Sequence, residues 1–175
     1  MSEETPESLE AKLAKPTRTM QIVVAAMIVV PLIFAGVVLV IGAQGPQDPA
    51  PIQGEMPARR GGEVVGHLAL VVGLFCLFIQ SVMQKFVTKQ AVQNLAVQAM
   101  GEPDRLGEAY LTGLVVSGAI NEMAAFLNLI AYMSSQSVYN LGMALLLVAS
   151  TAIKMPTVKK VAAWARATAE SLRGE

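Results

Sequence analysis

Glu122 is the residue whose position points most directly to chemistry, because it is the single charged residue in a stretch of 25 residues, 109–133. A carboxyl group in such a stretch binds a proton or a cation, or it is held protonated and hydrogen-bonds two helices together. Ser117, Asn121 and Asn128 follow one another in steps of four and seven, which places them on one stripe of a helix with Glu122 on its flank. We expect these four residues to form either a buried polar cluster or an ion-binding site, and both interpretations remain open.

Few other groups in the sequence suit catalysis or metal binding. The one cysteine, Cys76, cannot supply the paired thiolates of a zinc or iron–sulfur site, and the one histidine, His67, cannot form a histidine-rich metal site. We find no glycine-rich phosphate loop, no nucleophile elbow and no paired carboxylates. We therefore predict a protein that is not an enzyme and that has no cofactor and no metal site.

The composition is that of a membrane protein. Hydrophobic residues make up 54% of the chain and the mean hydropathy is +0.52, whereas charged residues make up only 15%, against about 25% in an average soluble domain. The 13 basic and 13 acidic residues give a formal net charge of zero. This balance excludes a nucleic-acid-binding protein that works through bulk positive charge.

Four stretches carry at most one charge each, and they are the elements that must position Glu122 and its neighbours. A bilayer core about 30 Å thick requires roughly 20 apolar helical residues, and backbone groups in lipid must be satisfied within the segment. The alternative is four buried helices of a soluble bundle, but such helices would show a polar face, and these stretches show almost none. The predicted spans are 20–43, 64–84, 109–133 and 137–154.

Lysine and arginine predict the orientation of these spans. The N-terminal tail 1–18, the inner segment 85–108 and the chain from residue 154 onward hold eleven of these residues, whereas the outer loop 44–63 holds two. Basic residues favour the cytoplasmic side of a membrane protein. We therefore predict an integral membrane protein, of the bacterial inner membrane, with both termini in the cytoplasm.

The segments between and after the spans differ in character. The outer loop 44–63 contains four Pro and four Gly, which predicts an extended loop. In the inner segment 85–108, apolar residues recur every three or four positions, so span two should continue as a helix to about Met100, with the third helix beginning at Pro103 or Asp104. Residues 156–175 predict an amphipathic helix that either lies on the membrane surface or packs against the inner segment.

One short stretch resembles a known family. The sequence AINEMAAFLNLIAY, from Ala119 to Tyr132, is similar to the carboxylate helix of rotary ATPase proteolipid (c-ring) subunits, in which small and apolar residues follow a buried acid. The resemblance implies that Glu122 is the ion-carrying acid. It covers about 14 of 175 positions, and the alternating glycines and the short polar loop of that family are missing. The overall pattern resembles uncharacterised four-span membrane proteins of bacteria.

These observations predict an all-α fold: an integral membrane four-helix transmembrane bundle (19–155) with a cytoplasmic helical extension and an amphipathic C-terminal helix. The predicted function is that of a non-enzymatic structural or accessory subunit of a membrane assembly. The alternative is a proton- or cation-binding, proteolipid-like or small transport protein with Glu122 as the protonation site. The expected partners are the lipid bilayer and either further copies of the chain or other membrane subunits, with no nucleic acid.

Overall fold

A computed structural model describes residues 6–43, 57–97 and 103–173, and the described chain is helical throughout, without a strand. Its helices are α1 (Pro6–Ala43), α2 (Pro57–Val97), α3 (Pro103–Ser135), α4 (Val138–Ile153) and α5 (Val158–Arg173). This architecture confirms the all-α prediction.

Three of these helices are long and apolar enough to cross a membrane, and they contain the first three predicted spans. The qualifying segments are Ser8–Gly42, Gly61–Leu95 and Arg105–Ser135. The fourth predicted span corresponds to α4, which has 16 residues and is about 24 Å long. It qualifies only together with α5, from which it is bent by 67°. Length and composition therefore give three crossing helices, or four if the bent pair counts as one.

Two helices extend beyond the predicted spans. Residues 1–18 were predicted as a tail, but α1 begins at Pro6, because Leu9, Leu13 and Thr17 are spaced by four and are buried together on one face. The outer loop was predicted to run to residue 63, but α2 begins at Pro57, and proline is well suited to a first helical position. The remainder of that loop, 44–56, and the predicted helix end near Met100 lie outside the described residues.

The turn between α3 and α4 is tight. The backbone amide of Gln136 donates to the carbonyl of Tyr132 at 2.8 Å, and Gln136 adopts a positive φ of 53°, as residues that terminate helices often do. The amide of Ser137 donates to the hydroxyl of Ser135 at 3.3 Å. These bonds satisfy backbone groups at the helix ends, and only two residues separate α3 from α4.

The contacts divide the chain into two compact units. The first contains the described residues of 1–25, 80–118 and 154–175, and the second contains those of 26–79 and 119–153. The second unit is built around small and aliphatic side chains: Ala35, Ala124, Ala125, Leu129, Ala144, Leu147 and Val148. The rings of Phe34 and Phe126 meet edge to face beside this core, with centroids 5.4 Å apart.

The first unit buries the apolar face of α5. Val161 and Ala162 pack with Leu9, Leu13 and Leu111, while the ring of Trp164 lies 5.1 Å from that of Tyr110. A second cluster joins Ala165 and Ala169 to Leu106. Of the two placements predicted for the C-terminal helix, the structure shows packing against the chain's own helices. The helix begins at Val158 rather than Pro156, because the hydroxyl of Thr157 caps it by accepting from the amide of Lys160 at 3.4 Å.

Candidate functional site

The site begins with Asn128 on α3, whose side chain is fully buried. Its Nδ2 donates to the backbone carbonyl of Ala69 on α2 at 3.1 Å and to the carbonyl of Ala124 on its own helix at 2.9 Å. Its Oδ1 is buried without a hydrogen-bond partner among the described residues. Because both contacts are carbonyl oxygens, only the amide nitrogen can face them. Asn128 therefore binds α3 to α2.

Asn121 lies seven residues earlier on the same stripe and reaches a different helix. Its Nδ2 donates to the hydroxyl of Thr151 on α4 at 3.1 Å, and that hydroxyl donates in turn to the carbonyl of Leu147 at 3.2 Å. Both polar side chains are buried. Asn121 therefore binds α3 to α4.

A third buried amide, Asn140, completes the set at the α3–α4 turn. Its Nδ2 donates to the hydroxyl of Ser135 at 3.2 Å, and that hydroxyl donates to the carbonyl of Ala131 at 2.8 Å. The Oδ1 of Asn140 has no hydrogen-bond partner among the described residues. Asn140 was not among the residues predicted from the sequence. The sequence contains an indirect signal for this residue. Asn121, Asn128 and Ser135 recur every seven residues on one stripe of α3, and an amide on another helix would meet α3 along that stripe.

Two of the predicted site residues stand apart from this amide network. Ser117 is buried in the first unit, where its hydroxyl donates to the carbonyl of Leu114 on its own helix at 3.1 Å. Glu122 is half-buried, and its carboxyl group forms no hydrogen bond or ion pair with the described residues. The four predicted residues therefore behave differently. Asn121 and Asn128 join helices, the hydroxyl of Ser117 bonds within its own helix, and the carboxyl group of Glu122 bonds to none of the described residues.

A row of small residues on α2 lies against Asn128 and Asn140, and it was not predicted from the sequence. The row steps by four, three and four residues and consists of Gly62, Gly66, Ala69 and Gly73. A Cβ built on Gly73 would lie 2.9 Å from Nδ2 of Asn128 and 2.7 Å from Cγ of Met143. On Gly62 it would lie 2.7 Å from the backbone oxygen of Ser134. The signal was the Gly-x-x-x-Gly motif at 62–66, a common feature of closely packed membrane helices.

The remaining polar residues are placed where they contribute little to this site. His67 is exposed, and its Nδ1 donates to the carbonyl of Glu63 at 2.7 Å. Cys76 is half-buried against the core of the second unit. No group of three His, Cys, Asp or Glu residues within the described ranges could hold a metal ion.

A group of polar contacts in the first unit holds the turn between α4 and α5. Nζ of Lys154 donates to Oε1 of the buried Gln80 at 3.0 Å, and Nε2 of Gln21 donates to the carbonyl of Pro156 at 2.8 Å. These bonds use the side chains of α1 and α2 to hold the turn between α4 and α5. These hydrogen bonds hold helices in place.

No protein-family profile, no curated protein and no solved structure matches this chain.

Proposed function

We propose that this chain is a non-enzymatic integral membrane protein with four spans, and that it serves as a structural or accessory subunit of a membrane assembly. The distribution of side chains supports the membrane environment. Large apolar residues point outward along the helices, with Phe78 73%, Leu68 64% and Ile33 62% exposed. Water would penalise so large an apolar surface, whereas hydrocarbon accepts it. The interior contains buried amides and many alanines beside its leucines and valines, and small residues and polar groups of this kind are typical of membrane helix packing.

The packing of the two chain ends supports an even number of crossings. Leu9 and Leu13, near the start of the chain, share a core with Val161 and Ala162, near its end. A bilayer between them would separate these side chains, and we therefore infer that both terminal segments lie on one side. Three crossings would place them on opposite sides. The short α4 is therefore proposed as the fourth span.

The first unit also gathers the segments that carry most of the basic residues. The N-terminal part of α1, the C-terminal part of α2 and α5 all belong to it. Since basic segments favour the cytoplasm, we propose that this unit faces the cytoplasm, with both termini on that side. The bacterial inner membrane is the proposed location.

The hydrogen bonds of the buried amides are the observation that carries the proposed structural role. Asn128 and Asn121 donate to groups on α2 and α4, and interhelical hydrogen bonds of this kind stabilise membrane bundles. They therefore hold helices rather than present donors to a substrate. The proposed partners are further copies of this chain or other membrane subunits, and nucleic acid is not among them.

Cysteine labelling on intact cells tests the four-span arrangement. In a Cys76→Ser background, Ser137→Cys is expected to react with a membrane-impermeant maleimide from outside, and Thr157→Cys only after permeabilisation. Position 137 lies in the α3–α4 turn and position 157 in the turn before α5. If α4 and α5 instead formed one bent span, position 157 would lie within the membrane and resist labelling under both conditions. That result would contradict the proposal.

A second candidate function, ion binding at Glu122, is favoured by one specific observation. The carboxyl group sits in the middle of α3 without a hydrogen bond or ion pair to the described residues, although it is half-buried. A carboxyl group at such depth in a span is costly unless it serves a function or meets a partner. The resemblance of residues 119–132 to the carboxylate helix of proteolipid subunits supports the same candidate function.

Glu122→Gln separates the two candidates, because glutamine keeps the shape and hydrogen bonding of the side chain but cannot titrate. For an accessory subunit, we expect the wild type and the variant to co-purify with the same proteins in mild detergent, and neither to move protons or cations in proteoliposomes. Ion flux in the wild type that is lost in the variant, with assembly unchanged, would instead establish ion binding. A carbodiimide that attacks buried protonated carboxyl groups should then block flux in the wild type only.

A further inference from the structure

Six exposed basic side chains of the first unit lie close in sequence to the ends of the apolar stretches. They come from three helices and are Lys15, Arg18, Lys85, Lys89, Lys159 and Lys160. None of them forms an ion pair with an acidic residue in the part of the chain that the structure describes. We call these six residues the basic belt.

The belt lies next to the apolar stretches, whereas most acidic residues lie farther away. Arg18 directly precedes the uncharged stretch 19–43, and Lys85 directly follows 64–84. Glu10 and Glu170 lie eight residues before Arg18 and ten after Lys160. Glu108, which precedes 109–133, is the acidic exception at this level. Positive charge is therefore concentrated where the proposed spans end.

The belt works against the stability of the helices that carry it. Lys15 and Arg18 are three positions apart on α1, and Lys85 and Lys89 are four apart on α2, spacings at which like charges repel each other. Lys159 and Lys160 occupy the first turn of α5, where the helix dipole disfavours cations, and that turn contains no acidic residue. Anions from outside the described chain would relieve these repulsions.

Apolar side chains at the same level identify the kind of anion. Val82 and Phe86 are 50% and 53% exposed, and they lie three residues before Lys85 and Lys89, respectively. An exposed phenyl ring beside exposed ammonium groups suits the boundary between hydrocarbon and headgroups. Clusters of four to eight Lys and Arg next to a span are typical of binding to anionic lipids.

We propose that the basic belt binds the headgroups of anionic phospholipids, so that the chain gathers these lipids around its cytoplasmic end. This inference rests on the proposed membrane location. The lipid phosphates would relieve the repulsion within each pair of cations. Because the interaction is electrostatic and exposed, salt should weaken it.

The only tryptophan, Trp164, reports on lipids near the belt. It lies four residues after Lys160, and its ring is held against Tyr110. The full chain is reconstituted in phosphatidylcholine nanodiscs with a small, equal fraction of pyrene-labelled phosphatidylglycerol or pyrene-labelled phosphatidylcholine. We expect the anionic probe to accept energy from Trp164 with an apparent association at least about fivefold stronger, the factor that one basic residue contributes near an anionic surface.

A charge-neutral variant and a charge-retaining variant complete the design. Replacement of all six residues of the basic belt by Gln should abolish the preference, whereas replacement of its five lysines by Arg should preserve it. Unchanged Trp164 emission without probe verifies that α5 remains packed in both. Equal transfer to both probes in the wild type, or a preference that survives in the Gln variant, would overturn the proposal while leaving the membrane location intact. Failure of the chain to enter nanodiscs would overturn both.

Discussion

Asn128→Asp is expected to lower the free energy of unfolding by about 3–5 kcal/mol at neutral pH, the cost of leaving a buried charge without compensation. The amide nitrogen of Asn128 donates to the carbonyls of Ala69 and Ala124. A carboxylate in its place would direct a negative oxygen at two carbonyl oxygens, in a position with 0% exposure. The bond from α3 to α2 would be lost and replaced by repulsion.

Equilibrium unfolding in mixed micelles, followed by circular dichroism at neutral and at acidic pH, measures this effect. At acidic pH the loss should shrink, because a protonated aspartic acid can donate one hydrogen bond in place of the two that Asn128 makes. Asn94→Asp is the matched control: it makes the same chemical change at an exposed position on α2 and should stay within about 0.5 kcal/mol of the wild type. Asn128→Leu, which removes the bond without adding charge, should cost only about 1 kcal/mol. A neutral-pH value for Asn128→Asp close to that of the control would mean that the buried amide does not hold α2.

The helices were predictable because lipid and water impose opposite demands on a chain. Stretches of 20 or more residues with at most one charge mark α1, α2 and α3 without reference to their neighbours. The amide stripe of α3 was predictable for a similar reason, since positions 121 and 128 differ by two helical turns. Both inferences depend only on local spacing.

The partners of those amides were not predictable from spacing. Periodicity shows that Asn121 and Asn128 share a face, but one of them donates to α4 and the other to α2. That division depends on how three helices cross, which no single helix encodes. Glu122 was predicted to lie on the flank of the amide stripe, because one residue turns a helix by about 100°. The carboxyl group is thereby carried away from the face that bonds to the neighbouring helices.

Helix α5 is a second element whose packing partner could not be predicted from local spacing. Its amphipathic pattern allowed both a membrane surface and a protein surface as the support for α5. The choice was decided by residues distant in sequence: Leu9 and Leu13 at one end of the chain, and Leu106 and Leu111 in α3. Contacts across such separations leave no local signal.

The second large effect on the free energy of unfolding is expected from Gly→Ala substitutions in α2. The adjacent positions 61 and 62 should change this free energy in opposite directions. A Cβ on Gly62 would lie 2.7 Å from the backbone oxygen of Ser134 and 3.3 Å from its carbonyl carbon, whereas a Cβ on Gly61 would meet nothing within 4 Å. Backbone atoms cannot rotate away as a flexible side chain does. Gly62→Ala must therefore push α2 away from the end of α3, and overpacking of this kind costs about 1–3 kcal/mol.

Gly61→Ala should instead stabilise the chain by up to about 1 kcal/mol, because alanine loses less conformational freedom than glycine when a helix forms. Both variants replace glycine by alanine at adjacent positions of the same helix. The difference between their unfolding midpoints in micelles therefore isolates the contact with Ser134. Equal shifts would mean that α2 and α3 do not approach closely at this end. A loss confined to Gly62→Ala would support α2 as the close-packed partner of α3, with its small residues providing the surface on which the amide of Asn128 reaches a backbone carbonyl.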